Sequence, residues 1–231
     1  MFVFFGQADP LETRHEIRGL HVITDETYVP GRTHEQVASA AVAGGASVVQ
    51  FRDKTASSKW LYEVALGIRE ITAAAGVAFV VNDRLDIALA VGADGVHIGQ
   101  EDLPIGAVRR IVGNRKIIGV SASGLEEALA AARAGADYIG FGPIFATGSK
   151  ADASEPVGLE ELARASAHIE VPVIAIGGIS ASNLADVMAA GAAGAAVISA
   201  VAAAEDMEQA TRSLVEIMAA AGGPEVKASG K

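Results

Sequence analysis

The chain has no cysteine among its 231 residues. That excludes disulfides, a thiolate nucleophile and any cysteine-ligated zinc or iron–sulfur centre, and it agrees with a cytoplasmic setting. Basic residues are scarce: 18 lysines and arginines face 28 aspartates and glutamates, a formal net charge of −10. This balance argues against nucleic-acid binding through a general basic surface, and a polyanionic ligand would need a local basic cluster or a metal. Long apolar runs are also missing, none approaching the roughly 18 residues of a membrane span. Met1 to Phe5 is apolar but too short for a signal-peptide core, and no basic residue precedes it. Aromatic residues make up only 5% of the chain, while alanine and glycine supply much of the 51% hydrophobic content. That composition suits helices packed closely on a buried sheet better than an aromatic-rich sandwich.

What is present is an alternation. Eight short β-rich runs stand out: residues 20–24, 47–51, 78–81, 95–98, 116–120, 138–141, 172–176 and 195–198. Their nearly continuous apolar character fits strands buried on both faces. Between several of them lie segments rich in strong helix formers, at Glu35–Val42, Lys59–Ala74, Leu125–Ala134, Asn183–Ala190 and Met207–Ala220. Thr33 and Ser180-Ala181-Ser182 are expected N-caps. The pairs Gly45-Ala46, Gly92-Ala93, Gly135-Ala136 and Gly191-Ala192 each follow a helical stretch and introduce every second strand. Glycine there can take the left-handed conformation that ends a helix sharply. Four such quarters predict a single (β/α)8 TIM barrel over residues 19–221, with an open doubly wound sheet as the alternative. Residues 1–18 are expected to be a loosely held extension and 222–231 a disordered tail.

In such a barrel the C-terminal end of every strand faces the active site. Asp83 and Asp102 each close or follow an apolar run, so two carboxylates share one rim. Either could cap a following helix; as a pair they suit Mg²⁺, which keeps several waters and takes further ligands from phosphate oxygens. Gln50, Arg52 and Lys54 alternate and can point the same way, making an anion clamp. The segment from Ala146 to Asp152, carrying Thr147, Ser149 and Lys150, has the composition of a lid. Gly177-Gly178 and Ile198-Ser199 follow the seventh and eighth strands, where backbone amides commonly cradle phosphate. His97 reads as a satisfied core or rim histidine, and Phe141, Phe145 and Trp60 as packing residues. The Glu126-Glu127 and Arg109-Arg110 pairs read as solvated helix faces.

These pieces, in this order, resemble the thiamine-phosphate synthase family over about residues 19–221. The carriers are Gln50-Phe51-Arg52-Asp53-Lys54, Asn82-Asp83-Arg84, Gly95-Val96-His97-Ile98-Gly99-Gln100-Glu101-Asp102, Gly119-Val120-Ser121, Gly140-Phe141-Gly142-Pro143-Ile144-Phe145, the Lys150 loop, Ala175-Ile176-Gly177-Gly178-Ile179 and Val197-Ile198-Ser199. The resemblance implies a Mg²⁺-dependent transferase. It would join 4-amino-2-methyl-5-hydroxymethylpyrimidine diphosphate to a thiazole phosphate, giving thiamine phosphate and pyrophosphate. It further implies that Asp83 and Asp102 hold Mg²⁺, and that Gln50, Arg52, Lys54, Asn82 and Lys150 surround the diphosphate and pyrimidine. Ser121 would sit beside the pyrimidine amine and the leaving group, and Thr147, Ser149, Gly178, Ile198 and Ser199 would position the thiazole phosphate. The catalytic set is Lys150, Ser121, Arg52 and Lys54. No protein nucleophile is required, in keeping with the absence of cysteine and of a serine–histidine arrangement. The partners implied are these small molecules, with no nucleic acid or membrane; a homo-oligomer is left open. Two positions depart from the family pattern: Ser149 stands where a second threonine is usual, and Asp53 where glutamate is commoner. A related thiazole tautomerase of the same barrel family carries a histidine near the position of Ser121. That activity, and a non-catalytic barrel that binds thiamine precursors, are the competing readings.

Overall fold

The computed structural model describes residues 17–148 and 155–222. Ser149 and Lys150, with most of the terminal extension and the tail, lie outside the described residues. The strands are β1 (Gly19–Thr24), β2 (Val48–Phe51), β3 (Ala78–Asn82), β4 (Gly95–Ile98), β5 (Ile117–Ala122), β6 (Tyr138–Phe141), β7 (Val173–Ile176) and β8 (Gly194–Val197). All pair in parallel and in chain order, and β1 also pairs with β8, which closes the barrel. The open-sheet alternative is thereby excluded. The helices are α1 (His34–Ala43), α2 (Ser58–Ala75), α3 (Leu85–Ala90), α4 (Ile105–Val112), α5 (Leu125–Arg133), α6 (Gly158–His168), α7 (Leu184–Ala189), α8 (Ser199–Ala202) and α9 (Met207–Ala220). None of the described helices is long and apolar enough to cross a membrane.

Strand alternation splits the buried residues into two sets. Val22, Val49, Phe51, Phe79, Val81, Val96 and Ile98 belong to the large cluster between sheet and helices. Ile23, Val48, Ala78, Val80, Ile117, Tyr138, Ile174 and Ala196 form a second, smaller cluster. Their alternation with the first set places them inside the barrel. Ile17, just ahead of β1, joins this inner cluster and is buried.

Gly45, Gly92, Gly135 and Gly191 all have positive φ, between 67° and 97°, as expected of residues that terminate helices and re-aim the chain into a strand. Two of these turns continue into an aspartate. Asp94 accepts from the Phe79 amide at 2.8 Å and from Arg69 at 2.9 Å. Asp137 accepts from the Ile118 amide at 2.8 Å and from Arg109 at 2.7 Å. Each carboxylate thus ties the start of one strand to its neighbour at the N-terminal end of the barrel, where side chains serve stability. Arg109 corrects the sequence reading. Instead of lying on a solvated face, it also donates to the carbonyls of Gly113, Lys116 and Gly135.

Thr33 forms a full capping box with Gln36 at α1, as expected. At α7 the expected serines do not cap. Asn183 holds the N-cap position, and its side chain folds back to accept from the Ser180 amide and donate to the Gly178 carbonyl. The amide side chain spans the glycine turn, a reach that a serine hydroxyl lacks.

Candidate active site

The C-terminal ends of the strands enclose a cleft of about 440 Å³. Gln50, Arg52, Lys54, Asn82, Asp83 and Asp102 line one side. Ser121, Thr147, Gly178, Ile198 and Ser199 complete the predicted set. All eleven predicted residues that fall among the described residues therefore meet in one cavity.

Asp83 reaches its place through an unusual backbone. It is the one non-glycine among the described residues with positive φ, at 59°, a conformation that aspartate tolerates better than most residues but which still costs energy. Its amide donates to the His97 carbonyl at 2.8 Å, so the β3–β4 ladder runs one residue past the strand before the chain turns. Neither aspartate caps a helix: the N-cap positions of α3 and α4 belong to Arg84 and Pro104. Asp102 instead accepts from the Gly99 amide at 2.7 Å. Burial, the Asp102 charge and a hydrogen bond shared with Asp102 push the Asp83 carboxyl above its usual range. Lys54 and Arg52 offset this only in part. Two carboxylates close enough to share a proton, at the mouth of a cleft, are a donor set suited to a hard divalent cation.

The cationic side is anchored from below. Arg52 lies 3.6 Å from Asp25, and Lys54, half exposed, lies 3.8 Å from Asp83. Between them Asp53 turns away from the cleft and accepts from the amides of Thr55 and Ala56 at 2.7 and 2.9 Å. Burial alone would raise this carboxyl, but those hydrogen bonds hold it below its ordinary range. Asp53 therefore shapes the loop that follows β2, so that Arg52 and Lys54 flank a fixed turn.

His97 is satisfied, as expected, but its partners correct another expectation. Its Nε2 lies 2.9 Å from Ser121 Oγ and its Nδ1 lies 2.9 Å from Tyr138 Oη. A serine–histidine pair is thus present. The group behind the imidazole is a buried phenol, and burial pushes that phenol's pKa far upward. A neutral phenol cannot stabilise an imidazolium as a triad carboxylate does. The residues are 24 and 41 apart in sequence, and local pattern carries no sign of the pairing. The available signal was two glycines inside strands, Gly119 and Gly140. A Cβ on Gly119 would lie 2.1 Å from the Tyr138 ring, and one on Gly140 would lie 2.9 Å from the His97 ring. Glu127, read as solvated, accepts from the Ser123 amide and hydroxyl and lines the cleft.

On the far side, the turn after β7 is held by the Asn183 side chain and by backbone hydrogen bonds from the segment that follows β6. Ile144 donates to Ile176 and Phe145 to Gly177, at 2.9 and 3.1 Å. Gly178, at φ 63°, sits so close to the Ala146 carbonyl that a Cβ would approach it to 2.6 Å. Thr147 is thereby delivered beside Gly178. Phe141 is fully buried, and Trp60 and Phe145 pack against the core, as expected.

Residues 20–201 match the family model described as thiamine monophosphate synthase. A thiamine-phosphate synthase of Chloroflexus aurantiacus is 54% identical over 195 residues, covering 84% of this chain and 90% of that protein. One from Methanoculleus marisnigri is 53% identical over 202 residues, covering 87% and 96%. A solved structure of a thiamine phosphate pyrophosphorylase from Pyrococcus furiosus superposes with a TM-score of 0.83 at 42% identity, covering 89% of this chain and 98% of that one. The chain belongs to the thiamine monophosphate synthase family, and it is a transferase of that family.

Proposed function

We propose that the cleft condenses 4-amino-2-methyl-5-hydroxymethylpyrimidine diphosphate with a thiazole phosphate, forming thiamine phosphate and releasing pyrophosphate. The observation that carries this reading is the pairing of Asp83 and Asp102 beside Arg52 and Lys54 on one rim. That arrangement suits a diphosphate that must depart with its charge. The donor chemistry fits Mg²⁺, with Asp83 and Asp102 as the residues that would hold it. When bound, the ion would supply positive charge to the diphosphate oxygens.

The chain's own residues divide the remaining work. Arg52 and Lys54 bind the diphosphate and oppose the charge that grows as the pyrimidine CH₂–O bond breaks. Lys150, outside the described residues, takes the same role by its resemblance to the family. Gln50 and Asn82 orient the pyrimidine, whose amino-substituted ring stabilises the carbocation. Ser121 sits between the pyrimidine amine and the leaving group. Thr147, Ser149, Gly178, Ile198 and Ser199 hold the thiazole phosphate, so that the thiazole nitrogen attacks a cation already beside it. No covalent bond to the protein forms. A cysteine-free chain performing this chemistry suits the cytoplasm.

Ser121 and the paired aspartates favour the synthase over the tautomerase, which needs no diphosphate site. Incubating the purified protein with both precursors and Mg²⁺ tests the reading: pyrophosphate and thiamine phosphate should appear together. No pyrophosphate release would refute it. Isomerisation of the thiazole carboxylate phosphate without Mg²⁺ would select the tautomerase, and binding without turnover would select the silent barrel.

A further inference from the structure

Beneath the cleft runs a line of four side chains, each in hydrogen-bonding contact with the next. Gln50 is 4% exposed and bonds the Tyr138 phenol. Tyr138 is 1% exposed and bonds His97 Nδ1; His97 Nε2 bonds Ser121 Oγ. The strand register brings them together, with Gln50 opposite Val80, Asn82 opposite His97, His97 opposite Gly119 and Gly119 opposite Tyr138. The room they occupy comes from Gly119 and Gly140, where any side chain would collide with the two rings. Glycine weakens a strand interior, so the line is housed at a cost to the barrel.

A tyrosine has one proton to give, and here its oxygen has two neighbours. If it gives the proton to Gln50, then His97 must donate from Nδ1, its Nε2 must accept, and the Ser121 proton points inward. If it gives the proton to His97, every polarity reverses: Gln50 donates through its amide NH₂, His97 donates from Nε2, and the Ser121 proton is left pointing into the cleft. We propose that the line is set in this second sense, making Gln50, Tyr138 and His97 positioning residues that hold Ser121 as a hydrogen-bond donor. An anionic leaving group beside Ser121 is stabilised by a proton and repelled by a lone pair. In the same setting the Gln50 carbonyl faces the cleft as an acceptor for the pyrimidine amine. The serine–histidine pair therefore works in the sense opposite to that of a hydrolase, where the imidazole takes the serine proton. This inference rests on the synthase reading for its purpose but not for its test.

The test reads ring protonation directly. In protein labelled with ¹⁵N-histidine, with the His97 signals assigned by comparison with His97→Gln, the native His97 ring should be a single tautomer protonated at Nε2. Protonation at Nδ1 would overturn the proposal. Tyr138→Phe keeps the ring and removes the donor, so the His97 signals should shift towards a mixture of tautomers. With the native enzyme releasing pyrophosphate, the same variant should lower kcat about five- to tenfold and leave KM for both substrates within about twofold. An unchanged kcat, or a loss confined to KM, would overturn it. The native spectrum needs no turnover and no variant that must fold. A protein that fails to release pyrophosphate therefore refutes the synthase reading, while the tautomer still decides the line.

Discussion

His21 makes the stability of this barrel sensitive to acid in a calculable way. The residue lies in β1, 1% exposed, with its ring edge-on to Tyr138 at 5.5 Å and its Nε2 buried without a hydrogen-bond partner among the described residues. Burial, with a smaller contribution from His97, lowers its pKa from 6.5 to about 3. The folded chain therefore keeps His21 neutral, whereas the unfolded chain takes up a proton as pH falls below 6.5. Between pH 6.5 and 3 the unfolded state holds about one more proton, so folding stability falls on acidification by about 1.4 kcal/mol per pH unit. The loss from this residue is about 2 kcal/mol at pH 5, with a ceiling of about 5 kcal/mol below pH 3. His21→Leu keeps a similar volume and removes the titration. Urea unfolding of both proteins at pH 7, 6, 5 and 4 isolates the term, because His34, Asp53, Asp83 and the other shifted groups contribute equally to each. Relative to the native protein, the variant should gain about 2 kcal/mol between pH 7 and pH 5. Parallel pH profiles, within about 0.3 kcal/mol, would refute the buried-neutral account.

Other expectations come from both ends of the barrel. Asp83→Asn and Asp102→Asn should each cut turnover by roughly a hundredfold or more with little change in far-UV circular dichroism; near-native rates in both would remove the metal assignment. Gly119→Ala should destabilise by about 2 kcal/mol, because its methyl collides with the Tyr138 ring. Gly106→Ala in α4, with nothing within 4 Å of its added Cβ, should stabilise by about 0.5–1 kcal/mol. Equal effects at the two glycines in thermal melts would contradict the packing argument. Arg109→Ala should cost about 2 kcal/mol, measured by urea unfolding, and leave kcat intact, since its partners sit at the end opposite the cleft.

The barrel was legible because its signals are local. Each strand is a short apolar run, and each of the four Gly-Ala turns announces a strand with a residue that only glycine fits easily, as the positive φ values bear out. The rim residues were legible for the same reason: Gln50, Arg52 and Lys54 are polar where a buried strand has no packing use for them. The pairing of Ser121 with His97 and Tyr138 was not, because it depends on which residues of three separate strands share one layer inside the barrel. That is a property of register, which no single strand encodes. Arg109 misled for a related reason. Next to Arg110 it looks like a charged helix face, and only the return of the chain at Asp137 gives it a partly buried partner.

Four aspartates show how the fold separates stability from chemistry. Asp94 and Asp137 follow the glycine turns at the N-terminal end. Each is answered there by a strand amide and an arginine within 3 Å. Asp83 and Asp102 stand at the other end, where the Asp83 backbone is turned to φ 59° and its carboxyl is pushed up by burial and by its neighbour's charge. Lys54 approaches only to 3.8 Å. A carboxylate pair in that state is destabilised, and under the proposed function a bound cation would relieve the unfavourable charge that the fold leaves in place. Adding Mg²⁺ with pyrophosphate should therefore raise the thermal midpoint of the native protein by several degrees, through ligand linkage. Asp83→Asn should show a smaller rise, since the repulsion that the cation relieves is already gone. An equal rise in both proteins would place the cation away from this pair.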